Sequence, residues 1–183
     1  VTVTNAVAIE GTAAEVTAAL VTAGTKVEVD DPTVNITTTP TIGALNLIAA
    51  ETTGVVTATL AADSLANLAA LNTASTDQIT VTVNDANAAA LTAANLSVLG
   101  GKTAGTVTVT NAVAITGDHD QVTAALVTAG TKVEVDDATV TINDANDTDI
   151  TAAELSAIGG ATTGTVTVTN AVAIEGTAAE VTA

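Results

Sequence analysis

Carboxylate side chains are the main groups in this sequence that could do chemistry. Aspartate occurs in two adjacent pairs and in one looser group, and these residues are Asp30, Asp31, Asp136, Asp137, Asp144, Asp147 and Asp149. Calcium prefers hard oxygen ligands of this kind. The sequence has neither the loop spacing of an EF-hand nor the glycine-rich nonapeptide of calcium-binding β-rolls. The seven aspartates are therefore candidate calcium ligands, and calcium is the one cofactor that the sequence suggests.

The aspartate pairs have a second interpretation, as structural corners. The fifth residue of a recurring strand motif is Asn or Asp in six of seven copies, which are Asn5, Asp31, Asp85, Asn111, Asp137 and Asn170, with Leu60 in the remaining copy. Such side chains bond backbone groups of their own turn or of the next one. A column of corner hydrogen bonds is thus the main alternative to calcium binding.

Catalysis has little support in the sequence. The only imidazole, His119, lies between Asp118 and Asp120, which would raise its pKa if they are close. We expect an exposed residue in the first turn of a helix, because related repeats carry alanine there. The chain has no cysteine, and its serines have no basic partner at a recurring offset; they are Ser64, Ser75, Ser97 and Ser156. We expect no enzymatic activity.

Composition and charge exclude further classes of function. The chain contains 40 Ala, 39 Thr and 25 Val among 183 residues, with no aromatic residue and a formal charge of -17. This charge disfavours contact with the phosphates of nucleic acid. Polar residues interrupt every apolar stretch after about four or five residues, far short of the roughly 18 that a membrane-spanning helix needs. We expect no nucleic-acid partner and no membrane span.

The elements that must position these side chains are repeats. The string VTVTNAVAI occurs at Val1, Val107 and Val166, and a long block starting at Glu15 recurs from Gln121 with two changes, one of which is Pro32 against Ala138. We place the repeat starts at Val1, Val27, Val56, Val81, Val107, Val133 and Val166. Successive starts are about 26 residues apart, with one longer interval between the last two. Internal duplication of this period is typical of stacked repeat proteins.

The pattern predicts that each repeat forms a strand followed by a short helix. Val alternates with Thr, Glu or Asp in segments such as VTVTNA and VEVDDA, which predicts half-buried strands. Thr12 with Glu15, Asp118 with Gln121, and Thr151 with Glu154 have the spacing of a helix N-cap. Gly24, the pair Gly100 and Gly101, and the pair Gly159 and Gly160 mark helix ends.

The fold class predicted from this pattern is α/β, a right-handed β/α solenoid with a parallel sheet, about 26 residues per repeat and one short helix in each. One repeat has too few large aliphatic side chains to offset its backbone entropy, so it must be stabilised by its neighbours. We expect one continuous array over residues 1–183.

Threonines on the outward strand face offer another function. Thr2 with Thr4, Thr108 with Thr110, and Thr167 with Thr169 form T-x-T pairs. Flat arrays of such pairs resemble the ice-binding faces of antifreeze solenoids. Glu28 and Glu134 occupy the same places in other repeats and would interrupt the array. The alternative is that threonine is favoured there for its β-propensity.

Runs such as GTVTVTNAVAITG and AALVTAGTKVEVDD resemble the tandem repeats, rich in Thr, Val, Ala and Asp, of giant cell-surface proteins in cyanobacteria and other aquatic bacteria. The resemblance covers the whole chain and implies an extracellular filament, sheath or adhesin stalk. Strong acidity suits the same extracellular or cell-surface location.

The chain ends support an expectation of self-association. Val1 opens a strand and Ala183 falls within a predicted helix, so neither end departs from the repeat. Arrays normally finish in atypical capping repeats. We expect a segment of a longer polymer whose partner is itself, by stacking or end-to-end continuation. A non-catalytic structural module is the main functional hypothesis; a calcium-rigidified adhesin repeat and an ice-binding face are the alternatives.

Overall fold

A computed structural model of the chain describes residues 1–181. Strands and short helices alternate, and the strand pairings given below are all parallel. The α/β class and the parallel sheets are therefore confirmed. The end of the last predicted helix, at residues 182 and 183, lies outside the described residues.

The strands are β1 (Thr2–Val3), β2 (Ala8–Gly11), β3 (Glu28–Val29), β4 (Thr33–Ile36), β5 (Val56–Thr59), β6 (Gln78–Val83), β7 (Ala90–Thr92), β8 (Val107–Val109), β9 (Ala114–Gly117), β10 (Glu134–Val135), β11 (Thr139–Ile142), β12 (Asp149–Thr151), β13 (Val166–Val168) and β14 (Ala173–Glu175). The helices are α1 (Ala13–Leu20), α2 (Ile42–Ala49), α3 (Leu65–Leu68), α4 (Ala93–Gly100), α5 (His119–Leu126), α6 (Ala152–Gly159) and α7 (Ala178–Val181).

The chain divides into two compact units. The first comprises Val1–Thr82 with Lys102–Thr106, and the second comprises Val83–Gly101 with the residues from Val107 onward. In the first unit, β2, β4, β5 and β6 are neighbours in that order, and β1 pairs with β3. In the second unit the order is β7, β9, β11 and β13, with β8 paired to β10 and β12 to β14.

Residues that pair across neighbouring strands are one repeat apart in the sequence. Thr2 faces Glu28, and Thr57 faces Gln78 across a somewhat shorter repeat. The remaining pairs of neighbouring strands follow the same rule. Each repeat therefore places its strand beside the corresponding strand of the next repeat, as the sequence period predicts.

The predicted repeat starts match strands, with one difference in spacing. Val56, Val107 and Val166 are the first residues of β5, β8 and β13. The long predicted interval between Val133 and Val166 is not the stacking distance. Since Val140 in β11 faces Val166 in β13, these strands are separated by the ordinary repeat length, and β12 forms within it.

Alternation along each strand divides buried from exposed side chains. In β4, Val34 and Ile36 are buried while Thr33 and Asn35 are exposed. In the second unit, Leu91, Ile115, Val140 and Val166 face one another across four strands and form a continuous aliphatic column. Burial of a whole Val, Leu or Ile side chain stabilises by about 1.5 to 3 kcal/mol. Stacking therefore stabilises the fold, because it buries aliphatic side chains that would be exposed in a single repeat.

Helix starts follow the predicted caps. Thr12 and Thr151 form complete capping boxes with Glu15 and Glu154, in which each side chain bonds the other residue's backbone N–H. Asp118 caps α5 by accepting from the Gln121 N–H at 2.8 Å. These bonds satisfy amides that have no partner inside the helix.

Helix ends differ from the prediction in one respect. The C-caps Gly101 and Gly160 lie where expected but are right-handed, and no described glycine has a positive φ. The first helix ends at Leu20 rather than near Gly24. Several glycines are instead required by close backbone approach. A Cβ on Gly100 would lie 2.0 Å from the Thr131 carbonyl oxygen, inside any allowed contact distance.

Candidate functional site: the junctions between repeats

The polar groups of the chain concentrate where one repeat meets the next, which we call junctions. The Lys26 ammonium lies 2.6 Å from the Glu51 carboxylate, and the Asn35 amide donates to Glu10 at 2.9 Å. The Asn46 side chain accepts from the Asn72 N–H at 2.8 Å. Each contact joins residues about one repeat apart, so side chains reinforce the register that the strands establish.

The seven predicted calcium ligands are distributed over several corners. Asp30 and Asp31 lie between β3 and β4, and Asp136 and Asp137 between β10 and β11. Asp144 and Asp147 lie between β11 and β12, and Asp149 begins β12. Asp144 is buried, whereas Asp31 and Asp147 are exposed. Within residues 1–181, no three Asp, Glu or His side chains converge as a metal site requires.

Asp31 occupies a strained corner and is already hydrogen bonded. Its φ of 51° lies in the left-handed region, where a non-glycine residue costs energy. The Thr53 hydroxyl and the Thr53 N–H both donate to Asp31 Oδ1, the latter at 2.8 Å. The hydroxyl bond, followed by backbone bonds from Thr53 and Gly54, lowers the pKa of Asp31. This carboxylate is thus part of a junction.

His119 and Asp144 form a junction that the sequence did not predict. His119 Nδ1 lies 2.7 Å from Asp144 Oδ1, and the His119 backbone N–H donates to Asp144 Oδ2 at 2.8 Å. The side chains are 15% and 6% exposed. The expectation of an exposed histidine is therefore wrong, because stacking brings a residue of the next repeat onto the start of α5.

Acidic neighbours stabilise the charged form of this imidazole. The hydrogen bond to Asp144 is the largest cause of a raised His119 pKa, which burial partly opposes. Charges on Asp144, Asp120 and Glu154 act in the same direction. Asp120 contributes as a neighbour, as predicted, with its carboxylate 3.5 Å from Nε2. The ion pair has no hydroxyl or thiol nucleophile among its hydrogen-bond partners.

Asparagine corners bond the preceding repeat, as the structural interpretation predicts. The Asn111 amide donates to the Asp85 carbonyl at 2.7 Å, and the Asn170 amide donates to the Asp144 carbonyl. Corner side chains therefore bond backbone carbonyls of the preceding repeat.

Threonines form one continuous row, though not the predicted one. Thr92, Thr116, Thr141 and Thr167 face one another in register across β7, β9, β11 and β13. The predicted T-x-T array is interrupted as expected, since Thr108 faces Glu134 and Thr2 faces Glu28. The longest row thus includes positions on β7, β9 and β11 that the T-x-T pattern does not identify.

Sequence reasoning also missed a tripeptide, T-x-G, that recurs at the junctions. It occupies Thr52–Gly54, Thr103–Gly105 and Thr162–Gly164, each between a helix and the next strand. The same pattern also occurs at Thr22–Gly24, Thr41–Gly43 and Thr128–Gly130, where a Cβ on the glycine would meet nothing within 4 Å. Only in the three junction copies does the glycine lie two residues before a strand, and this placement is the signal that could have identified them.

Two further findings concern membrane spans and known proteins. No helix within the described residues has both the length and the apolar character needed to cross a bilayer. Comparisons with protein-family models, with curated proteins and with solved structures gave no match to the chain.

Proposed function

We propose that the chain is a non-catalytic structural module of an extracellular filament, sheath or surface stalk. In this proposal its repeats form one right-handed β/α solenoid, and its partner is more of the same repeat. The giant acidic repeat proteins that the sequence resembles have this role.

The observation that carries the proposal is that repeats bury one another. Ile115 and Val122, in an internal repeat, are both fully buried. The corresponding residues of the last repeat, Ile174 and Val181, are 52% and 57% exposed. The same side chain is therefore covered only where a further repeat packs on it. A module of this kind is suited to extension by repetition.

The surface chemistry supports an extracellular place for such a module. Twenty acidic residues against three lysines make the chain strongly anionic, and a large net charge of one sign keeps a protein soluble. Most polar groups at the junctions are uncharged hydroxyls, amides and backbone groups, whose bonds depend little on ionic strength.

Labelling of the producing cells tests this proposal. Antibodies raised against the chain should label filaments, sheath or surface of intact cells in electron micrographs. The control is the same labelling after permeabilisation. Label that appears only in permeabilised cells would contradict the extracellular role.

A second candidate, an ice-binding face, is favoured by the threonine row. Thr92, Thr116, Thr141 and Thr167 repeat at the strand spacing of about 4.8 Å. Thermal hysteresis of the purified chain measures this activity. Hysteresis that is lost in a Thr116→Lys variant would favour ice binding over a purely structural role.

A further inference from the structure

The T-x-G tripeptides share one geometry at three junctions. The hydroxyls of Thr52, Thr103 and Thr162 donate to backbone carbonyls of the preceding repeat, at Pro32, Ile79 and Ala138, over 2.6, 2.9 and 2.6 Å. Each hydroxyl also accepts from the N–H of its own glycine, at 2.9, 2.8 and 3.0 Å. One side chain therefore shapes the tripeptide and bonds it to the preceding repeat.

The middle residue adds a second bond to the preceding repeat. The N–H groups of Ala104 and Thr163 donate to the carbonyls of Asp77 and Asp136, both at 2.7 Å. The N–H of Thr53 donates instead to the Asp31 carboxylate at 2.8 Å. Two donors that reach different residues of the preceding repeat fix both the position and the direction of the incoming strand.

The glycine is required because the two backbones touch. A Cβ on Gly54, Gly105 or Gly164 would lie 2.4, 2.4 or 2.2 Å from the carbonyl oxygen of the same acceptor residue. Backbone atoms cannot move aside as a flexible side chain can. Any other residue would push the repeat away from its predecessor.

The acceptor residue has its own requirements. Pro32, Ile79 and Ala138 are all buried. The Ile79 N–H donates to the Thr103 hydroxyl oxygen at 2.8 Å, whereas Pro32 has no N–H to satisfy. The Pro32 and Ala138 difference between the two related sequence blocks falls at a position whose carbonyl accepts from the threonine hydroxyl in both cases.

One junction without the tripeptide has a substitute. Between α3 and β6, the Asp77 carboxylate accepts from the Val56 N–H of the preceding repeat at 2.8 Å and from the Ala74 N–H at 2.9 Å. Asp77 is 3% exposed. As with Thr103 and the Ile79 N–H, a side-chain oxygen satisfies a buried amide of the preceding repeat, here with a carboxylate in place of a hydroxyl.

We infer that T-x-G, where it directly precedes a strand, is the docking element through which a repeat recognises the one before it. The tripeptide makes the contact with its threonine hydroxyl and its glycine backbone. The partner is a buried residue near the start of a strand in the preceding repeat, whose carbonyl accepts from the hydroxyl. The inference rests on the proposed stacking of repeats and deepens it, because it assigns recognition to two side-chain positions in each tripeptide.

Amide hydrogen exchange of the full chain, measured by NMR, tests this role. Thr103→Val keeps the shape of the side chain and removes the hydroxyl, so the Ile79 and Gly105 amides lose their acceptor. We expect these two amides to exchange at least tenfold faster than in the unchanged protein. Thr103→Ser restores the hydroxyl and should return both rates to within about threefold. The matched control is Thr80→Val, at an exposed strand position of the same unit.

Each outcome decides a different question. Unchanged exchange at Ile79 and Gly105 in Thr103→Val would overturn the docking role, while leaving the proposed function intact. If Thr103→Val does not fold, Thr162→Val with the Gly164 amide as readout decides the same point. An unprotected Val81 amide in the unchanged protein, despite its bond to Thr106, would instead contradict stacking and with it the proposed function.

Discussion

Replacing His119 by alanine should remove a pH-dependent part of the stability. Alanine is compatible with this position, since Ala13 and Ala178 begin the related helices α1 and α7. The variant keeps the backbone bond from residue 119 to Asp144 and loses the imidazole, with its bond to Asp144 and its longer contact to the exposed Asp120. A charge-assisted hydrogen bond contributes about 1.5 to 3 kcal/mol. The pair is mostly buried, so solvent screens it less than a surface pair.

The pH window follows from the direction of the pKa shift. The folded-state pKa of His119 is raised above its ordinary value of 6.5. The contribution is therefore fully present below about pH 6.5 and is lost as the pH rises through the raised pKa. Carboxylates with lowered pKa values, such as Glu15 and Glu154, lose their contribution only as the pH falls through their own pKa values. A comparison between pH 5.5 and 9 thus isolates the histidine.

Urea unfolding followed by circular dichroism is the assay, because the chain has no aromatic residue for fluorescence. At pH 5.5 the variant should be less stable than the unchanged protein by about 1.5 to 3 kcal/mol. The difference should shrink as the pH rises through the raised pKa of His119 and should be smaller at pH 9 than at pH 5.5. Asp120→Asn is the control and should change little, since Asp120 is 87% exposed. Equal stability of His119→Ala and the unchanged protein at pH 5.5 would refute the ion pair.

Three further predictions concern packing, capping and calcium. Ile142→Ala, at a fully buried position, should lower the free energy of unfolding in urea by about 2 to 5 kcal/mol, whereas Ile174→Ala, at a half-exposed position, should cost less than about 1 kcal/mol. An equal loss of unfolding free energy in the two variants would contradict the burial of Ile142 in the core. Thr151→Ala removes the α6 cap and should cost about 1 kcal/mol in the same assay, with Thr151→Ser close to the unchanged protein. Chelation with EDTA should leave the thermal midpoint and light scattering unchanged, because hydrogen bonds hold the junctions; a lower midpoint would favour the calcium-rigidified alternative.

Short-range patterns accounted for most of the fold. Alternation of Val with polar residues located the strands that begin at Val56, Val107 and Val166. The spacing of Thr12 with Glu15 located a helix start to the residue. Both signals are local, since strand alternation and N-capping depend on side chains within a few positions of one another.

Contacts between repeats were harder to predict, because they depend on register. His119 meets Asp144 only because the strands stack with an offset of one repeat, and its sequence neighbours gave no hint of burial. The T-x-G tripeptides at the junctions were missed since the same three-residue pattern also occurs at Thr22–Gly24 and Thr128–Gly130, where the glycine makes no such contact. Glycines were interpreted only as helix ends, which is confirmed at Gly101 and Gly160, so the contact of Gly105 with the Ile79 backbone was not predicted.

The predicted calcium site illustrates the same limit. The seven aspartates are candidate ligands on residue type alone, and calcium binding stays a prediction. The hydrogen bonds of Asp31 to Thr53 and of Asp144 to His119 become visible only in the structure. A partner in the neighbouring repeat can be assigned only after the register is known.

Hydrogen-bond scalar couplings measured by NMR test the stacking of repeats most directly. These couplings connect an amide nitrogen to the carbonyl carbon that accepts its proton. The parallel register predicts couplings from the Thr139 amide to the Val113 carbonyl and from the Val140 amide to the Thr165 carbonyl. Couplings that instead connect each strand to one a few residues away, in an antiparallel hairpin pattern, would contradict the account.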